Sequence, residues 1–492
     1  MAIETELKLS LSPRTATRLP QHPLLQGISP TRKHLRNTYY DTADLALKQA
    51  HIAVRHRRIG RQWLLTIKSA EPATGGLAQR SEWETACLPG QFLFMHVDNK
   101  TLRRRLEKLQ PELLAAFTTD FTRLAWLLSP APGVSIELAL DRGHIESNGH
   151  RESICEVELE LIEGKASDLF ELALNLQKDL ALHPSIASKA ERGYRVFSGE
   201  PVLPAKATRL TLNAGDTPLE AFRTVAFSCI EQLQRNEAGV INCDDPEFVH
   251  QARVAIRRLR SAMRIWKSGL PAGFIAEFDP LWQMVASQLG DTRNWDVLVS
   301  ETLPQMDKLL HKHDPAGSFH RQAVRCGKRS RQNTRTALKS ASYSSLLLAY
   351  TAALLELPDN KGTSVAKFAK RRLGKRAVQV LQLANCPQEN FMTAQHRLRI
   401  AFKHLRYAIE FFSALLPQAK SQDYHQAAAG LQDLLGRMND LVVAEQIAHR
   451  ALAGAKGAPV RRWLLTQREL LLPKLDQSLA AFFERKLPWE HS

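Results

Sequence analysis

Along residues 1–200, polar and apolar positions alternate with period two in short runs: IETELKL, AVRHRR, QWLLTIKS, SEWETAC, RLAWLL, VSIELAL and CEVELELI. Runs of this kind, divided by Gly, Pro or Asn, predict half-buried strands. Their number and spacing suit an antiparallel β-barrel, broken by helical segments at roughly 99–116 and 166–181. After GYRVFSG, the stretch Glu200-Pro-Val-Leu-Pro-Ala reads as a linker, and from about residue 212 the apolar spacing becomes helical. The pattern therefore predicts an α+β N-terminal barrel domain over 1–200, a linker over 201–211 and an all-α domain over 212–492.

The helical half repeats itself. His250-x-x-Arg253-x-x-x-Arg257-x-Leu259-Arg260 returns as His396-x-x-Arg399-x-x-x-Lys403-x-Leu405-Arg406, and Leu289-Gly290-x-x-Arg293-Asn294 returns as Leu435-Gly436-x-x-Asn439-Asp440. Both motifs hold one offset of 146 residues, which predicts a duplicated helical unit. At helical spacing His250, Arg253, Arg257 and Arg260 fall within an arc of about 80°. Ala252, Ile256, Leu259, Met263 and Trp266 take the opposite face. In the second copy, Leu398, Phe402, Leu405, Ile409 and Phe412 oppose His396, Arg399, Lys403 and Arg406. Neighbouring cations repel one another, and a polyanion laid across both stripes relieves that repulsion. The Leu-Gly segments read as helix-packing elements.

In the barrel half, residues two apart share a strand face, so Glu4, Glu6 and Lys8 line one face. Arg55 with Arg57, Glu82 with Glu84, Glu137 with Asp141, and Glu156 with Glu158 and Glu160 behave alike. A strand gains nothing by itself from such like-charge pairs. They fit a hard divalent cation, which needs several carboxylate oxygens, and a phosphate chain, which needs Arg and Lys donors. Period two alone leaves open whether these faces line a lumen or meet solvent. His56, between Arg55 and Arg57, points the other way, and His34, His51 and His56 read as surface or packing residues.

These residues, in order, resemble the CYTH superfamily of triphosphate tunnel metalloenzymes. The likeness runs from Glu4-x-Glu6-x-Lys8 through Tyr40-Asp41-Thr42, Arg55-x-Arg57, Trp63-x-x-Thr66-x-Lys68 and Glu82-x-Glu84. It continues to Arg123, Glu137–Asp141, Glu158-x-Glu160 and Ser188-Lys189-x-x-Arg192-Gly-Tyr. The resemblance implies an eight-stranded antiparallel tunnel in which Lys8, Arg55, Arg57, Lys68, Arg123, Lys189 and Arg192 grip a triphosphate. Glu4, Glu6, Glu158 and Glu160, with Glu137 or Asp141, would hold Mg²⁺ or Mn²⁺, and Glu82 and Glu84 would bind metal or balance the basic wall. Glu4, Glu6, Lys8, Arg57 and Lys68 are the implied catalytic set. The reaction implied is hydrolysis of inorganic tripolyphosphate to pyrophosphate and phosphate. The alternatives are a thiamine or nucleoside triphosphatase, an adenylate cyclase, and a non-catalytic polyphosphate-binding scaffold. The helical motifs resemble the CHAD domain, which implies long-chain polyphosphate as partner of His250, Arg253, Arg257, Arg260, His396, Arg399, Lys403 and Arg406.

Charge agrees with this division. The chain carries +17 overall. Residues 1–200 hold 26 Lys and Arg against 24 Asp and Glu, and the remainder 41 against 26. The second half should attract polyanions, although few aromatic residues lie among its bases to stack on a nucleic acid. Six cysteines without a Cys-x-x-Cys pair argue against a zinc site or a disulfide scaffold. No run approaches the roughly 20 apolar residues of a membrane span. The start, MAIETELKLS, has glutamates where a leader has bases, and the expected location is cytoplasmic.

Overall fold

The computed structural model of the chain describes residues 2–70, 75–310, 315–358, 363–385, 391–451 and 458–489. Nine strands form one antiparallel sheet: β1 (Ala2–Leu11), β2 (Thr31–Asp41), β3 (Ile52–Ile59), β4 (Gln62–Ala70), β5 (Leu77–Ala86), β6 (Leu114–Ala131), β7 (Val134–Ser147), β8 (His150–Glu163) and β9 (Leu182–Pro184). The order is β5-β4-β3-β2-β6-β7-β8-β1-β9, and β5 also pairs with β1, from Ala2↔Glu82 to Leu7↔Leu77. That pairing closes eight long strands into a ring, with the three-residue β9 attached alongside β1. Between β7 and β8, Asn148 and Gly149 have φ of 50° and 77°. Two consecutive positive φ values make the type I′ turn that matches strand twist.

Two elements lie outside the strands and helices that the spacing predicts. β2 escaped the period-two reading because its first four residues, Thr31-Arg-Lys-His, are all exposed and only Leu35 onward alternates. Ser188-Lys189-x-x-Arg192 opens a helix, Lys189–Ser198, whose first turn is capped by the Ser188 side chain accepting from the Glu191 amide.

Closure turns most of the charged strand positions inward and most of the apolar ones outward. Leu7, Leu9, Leu138, Leu140, Val157 and Leu159 point outward and pack with Leu169, Phe170, Leu172 and Leu176 of the helix Ala166–Gln177. Each such side chain contributes about 2 kcal/mol on burial. Ile52, Val54, Leu65, Ile67 and Trp83 are covered likewise by Leu106 of the helix Lys100–Leu109. A third cluster joins Tyr39, Phe117, Phe121, Ile145 and Ile154 to Tyr194 of the helix Lys189–Ser198. Gly193 lets this helix approach, since a Cβ there would lie 2.0 Å from the Phe117 ring. Gly193→Ala is expected to cost about 1–3 kcal/mol by overpacking, readable as a lowered denaturation midpoint.

Two compact units emerge, Met1–Leu203 with Lys339–Glu356, and Pro204–Leu338 with Leu357–Ser492. The second is all-helical among its described residues. It opens with a capping box, Thr217 with Glu220, at the head of the helix Pro218–Asn242. The two motif helices are Pro246–Trp266 and Phe391–Phe411. Their apolar faces are buried as the spacing requires: Ala252, Ile256, Leu259, Met263 and Trp266 in one, Leu398, Phe402, Leu405 and Ile409 in the other, with Phe412 just beyond it. Trp266 packs against Phe222, Phe368 and Phe412. Cys87, Cys155, Cys229, Cys243 and Cys326 are free thiols, and Cys386 lies outside the described residues. Among the described residues, no helix is long and apolar enough to cross a membrane.

Candidate functional site

The barrel encloses a cavity of about 410 Å³. Its lining includes Glu4, Glu6, Lys8, Arg55, Arg57, Lys68, Glu82, Glu84, Arg123, Glu158, Glu160 and Lys189, so the charged strand faces look into a lumen. Asp141, Glu137 and Arg192, expected with them, do not line it. Asp141 is fully buried behind Arg123, which donates to both its carboxylate oxygens at 2.8 and 2.7 Å. Arg192 reaches Glu152 at 2.6 Å, Glu156 at 3.0 Å and the Ser153 carbonyl, leaving little of its fork for a substrate. Glu137 is paired across the sheet with Glu160 and acts on it through space.

Acids and bases are interleaved in the lumen rather than separated onto two walls. In one part, Lys189 contacts Asp141 at 2.7 Å, Glu156 at 2.5 Å and Glu158 at 2.9 Å, and Arg123 also pairs with Glu158. Burial opposes ionisation of Glu158, but Lys189, Arg123 and Lys8 outweigh it and hold the carboxyl well below the glutamate range. Asp141, Glu156 and Glu158 are close enough to share an ion, and they form the only such trio among the described residues. Lys189 and Arg123 are the counter-charges that hold this trio together here.

The other part behaves oppositely. Among the described residues Glu160 has no ion pair, and burial together with Glu4 and Glu137 pushes it up to about 7. Burial, with Glu6 and Glu82, also raises Glu4, although Lys68 contacts it at 2.5 Å. Carboxylates crowded until they resist ionisation are what an added cation would relieve. Glu4 and Glu160 are therefore the acids of the lumen that an added cation would relieve.

The basic residues are braced. Arg57 donates from Nε to Asn37 at 2.9 Å, and Asn37 donates to Thr119 at 2.7 Å. Burial and the neighbouring Arg55 and Arg123 bring Arg57 down to about 10. Arg55 donates to the Tyr39 hydroxyl at 3.1 Å, and Thr66 donates to Glu84 at 3.0 Å. Asn37, Tyr39 and Phe121 are functional neighbours that the sequence reading missed. The first two lie on the unrecognised β2, and Phe121 precedes Arg123 by one two-residue step on β6.

In the helical unit the two stripes share one electrostatic field. Burial, Arg257 and Arg399 bring Arg253 down to about 10. Burial with Arg257, Arg264, Arg399 and Arg260 brings Lys403 down to about 7. The Tyr407 ring lies between the copies: Arg257 donates to its hydroxyl at 2.6 Å, and Arg406 sits 4.7 Å from its centroid. Arg260 is held by Asp279 at 2.7 and 3.2 Å, whereas His396 is exposed. Gly290 makes room for Arg253, whose Nη1 lies 2.0 Å from where a Cβ would stand; Gly436 has open space there. The glycine of the first copy thus serves the basic stripe itself. His250, Arg257 and Arg406 also border a cavity of about 650 Å³.

Residues 2–194 match the family model of the CYTH domain and residues 224–449 that of the CHAD domain. The chain carries a CYTH domain and a CHAD domain. A curated relative, an inorganic triphosphatase of Haemophilus influenzae, is 33% identical over 209 residues, covering 40% of this chain and 56% of the relative. The chain thus spans about half the length of that relative. The crystal structure of the CHAD domain from the plant Ricinus communis is 31% identical, with a TM-score of 0.53, covering 58% of this chain and 98% of that one.

Proposed function

We propose that the CYTH domain hydrolyses inorganic tripolyphosphate to pyrophosphate and phosphate with Mg²⁺ or Mn²⁺, and that the CHAD domain binds long-chain polyphosphate. The observation that carries the first part is a lumen lined by six cations, Lys8, Arg55, Arg57, Lys68, Arg123 and Lys189, together with the under-compensated acids Glu4 and Glu160. The resemblance to a named inorganic triphosphatase supports the same reaction.

The aromatic residues of the lumen favour an inorganic substrate. Tyr39 is stacked on Phe117 at 4.5 Å, and Phe121 has Lys189 at 5.0 Å and Arg123 at 6.0 Å from its centroid. Both rings are engaged, so among the described residues of the lumen neither is a free platform for a nucleobase or thiazole. Arg55, Arg57 and Lys68 turn from their carboxylate partners to phosphate oxygens and orient the chain in a partly desolvated space. Lys68 leaves Glu4 when it does so, which sharpens the need for positive charge among Glu4, Glu6 and Glu160. Glu4 and Glu160, with Glu6, would hold a Mg²⁺ or Mn²⁺ ion, which would supply that charge, polarise the phosphoryl oxygens and lower the pKa of water. No side-chain nucleophile is required.

The test is phosphate release from tripolyphosphate, thiamine triphosphate, ATP, pyrophosphate and long polyphosphate, with Mg²⁺, Mn²⁺ or EDTA. Tripolyphosphate is expected to be fastest and EDTA to stop the reaction. Faster turnover of ATP would sink the inorganic assignment, and activity unchanged in EDTA would sink the role of the acids.

A further inference from the structure

The helix Ala341–Leu355 lies inside the stretch matched by the CHAD model, yet it belongs to the compact unit built on the barrel. We infer that this helix is a positioning element of the triphosphate tunnel, a part of the CYTH unit supplied from within the CHAD sequence. The inference rests on the reaction proposed above for its effect on catalysis, and on geometry alone for its effect on the tunnel wall.

Its contacts are specific. Leu348 is fully buried in the outer cluster that contains Leu7 and Leu9 of β1, and Ala352 and Leu355 pack against the same cluster. Ser345 donates to the Gln177 side chain at 2.6 Å, at the end of the helix Ala166–Gln177. Ser344 shares a hydrogen bond of 2.8 Å with His183 of β9, and Tyr343 stacks on the same ring. Gly75 comes so near Thr351 that a Cβ would lie 2.3 Å from its hydroxyl oxygen.

Leu7, Leu9, Gly75 and His183 lie on the strands and turns that line or brace the tunnel. Leu7 and Leu9 alternate along β1 with Glu6 and Lys8, which face the lumen. The Lys8 backbone is clamped on both sides, its amide donating to the Gly76 carbonyl and its carbonyl accepting from Ser185, each at 2.9 Å. Gly75 precedes one jaw, Gly76, and His183 lies two residues before the other, Ser185, so the helix packs on the segment that leads into each jaw. Beyond Ser185 the chain reaches Ser188 and Lys189, which also line the cavity. A rigid backing of this kind sets side chains to the fraction of an ångström on which turnover depends. It also means that cutting the chain after Leu203 would strip an apolar surface from the barrel unit.

The test uses the full chain. Leu348→Ala is compared with Leu348→Met, with the Ser344→Ala/Ser345→Ala double variant, and with Leu373→Ala, an equally buried leucine of the helical unit. Hydrogen exchange by mass spectrometry reads the amides of β1, β9 and the helix Ala166–Gln177, and phosphate release from tripolyphosphate is measured in parallel. Leu348→Ala should speed exchange at β1 and β9 by about tenfold or more while β2 to β4 hold theirs, and lower kcat by about tenfold more than it changes KM. The double serine variant should shift both in the same direction by less, Leu348→Met should restore them, and Leu373→Ala should move neither. Unchanged exchange at β1 and β9 in folded Leu348→Ala, or an equal kcat loss in Leu373→Ala, would overturn the inference. Exchange reads the packing even if no protein releases phosphate, an outcome that would count against the proposed reaction instead.

Discussion

Glu160→Gln is expected to lower metal-dependent phosphate release from tripolyphosphate by about 100-fold or more while the barrel stays folded. Glutamine keeps the volume and removes the charge that a hard cation requires. The loss should be accompanied by a higher Mg²⁺ concentration for half-maximal rate. Stability moves the other way. A carboxyl whose folded pKa lies above its ordinary value contributes stability below the glutamate range and loses it as pH rises through about 7. Without divalent ions and above that pH, the variant should therefore melt no lower than the wild type, and Mg²⁺ should stabilise only the wild type. Glu158→Gln makes the contrast. Its partners Arg123 and Lys189 would lose a buried counter-charge, and breaking such a pair costs about 3–5 kcal/mol. A drop in melting temperature, rather than in metal affinity, should dominate there. Wild-type turnover in folded Glu160→Gln would remove the cation from this end of the lumen.

Replacing Arg253, Arg257, Arg399 and Lys403 together with Gln is expected to abolish polyphosphate binding by the full chain and to leave tripolyphosphate hydrolysis largely intact. Arg253, Arg399 and Lys403 each feel a cation of the other copy, and a polyanion is the partner that relieves them. Wild-type affinity should fall steeply with salt, as it does when a polyanion sheds counterions. Lys403 adds a pH signature. Free, it loses its proton near 7; bound phosphate favours the ammonium form. Binding should take up a proton above that pH, and affinity should decline as pH rises from about 7 toward the ordinary lysine range. Isothermal calorimetry in buffers of different ionisation enthalpy measures the proton directly. Binding that survives the fourfold change, or equal affinity for DNA of the same charge, would mean that the stripes are ordinary solvated faces.

Much of this molecule is written in local spacing. The alternation of Glu4, Glu6 and Lys8 with Leu7 and Leu9 fixes two chemically distinct faces on β1, whatever surrounds it. The offset of 146 residues between His250 and His396 fixes the duplication, and helical spacing alone put Ile256 and Phe402 in the core. Which face of β1 curves inward was not local. That was decided by closure of β5 onto β1, a pairing of residues about 80 apart, from Ala2↔Glu82 onward. Counter-charges were undetermined for the same reason. Asp141 and Glu160 look alike in a strand pattern, but Arg123 and Lys189 reach the first, while Glu160 is left to face Glu4 and Glu137. The helix Ala341–Leu355 reads as one more apolar segment of the helical half. Its place on the barrel depends on Leu348 joining a buried cluster that contains Leu7 and Leu9, more than 300 residues away, a packing that no period along the chain encodes.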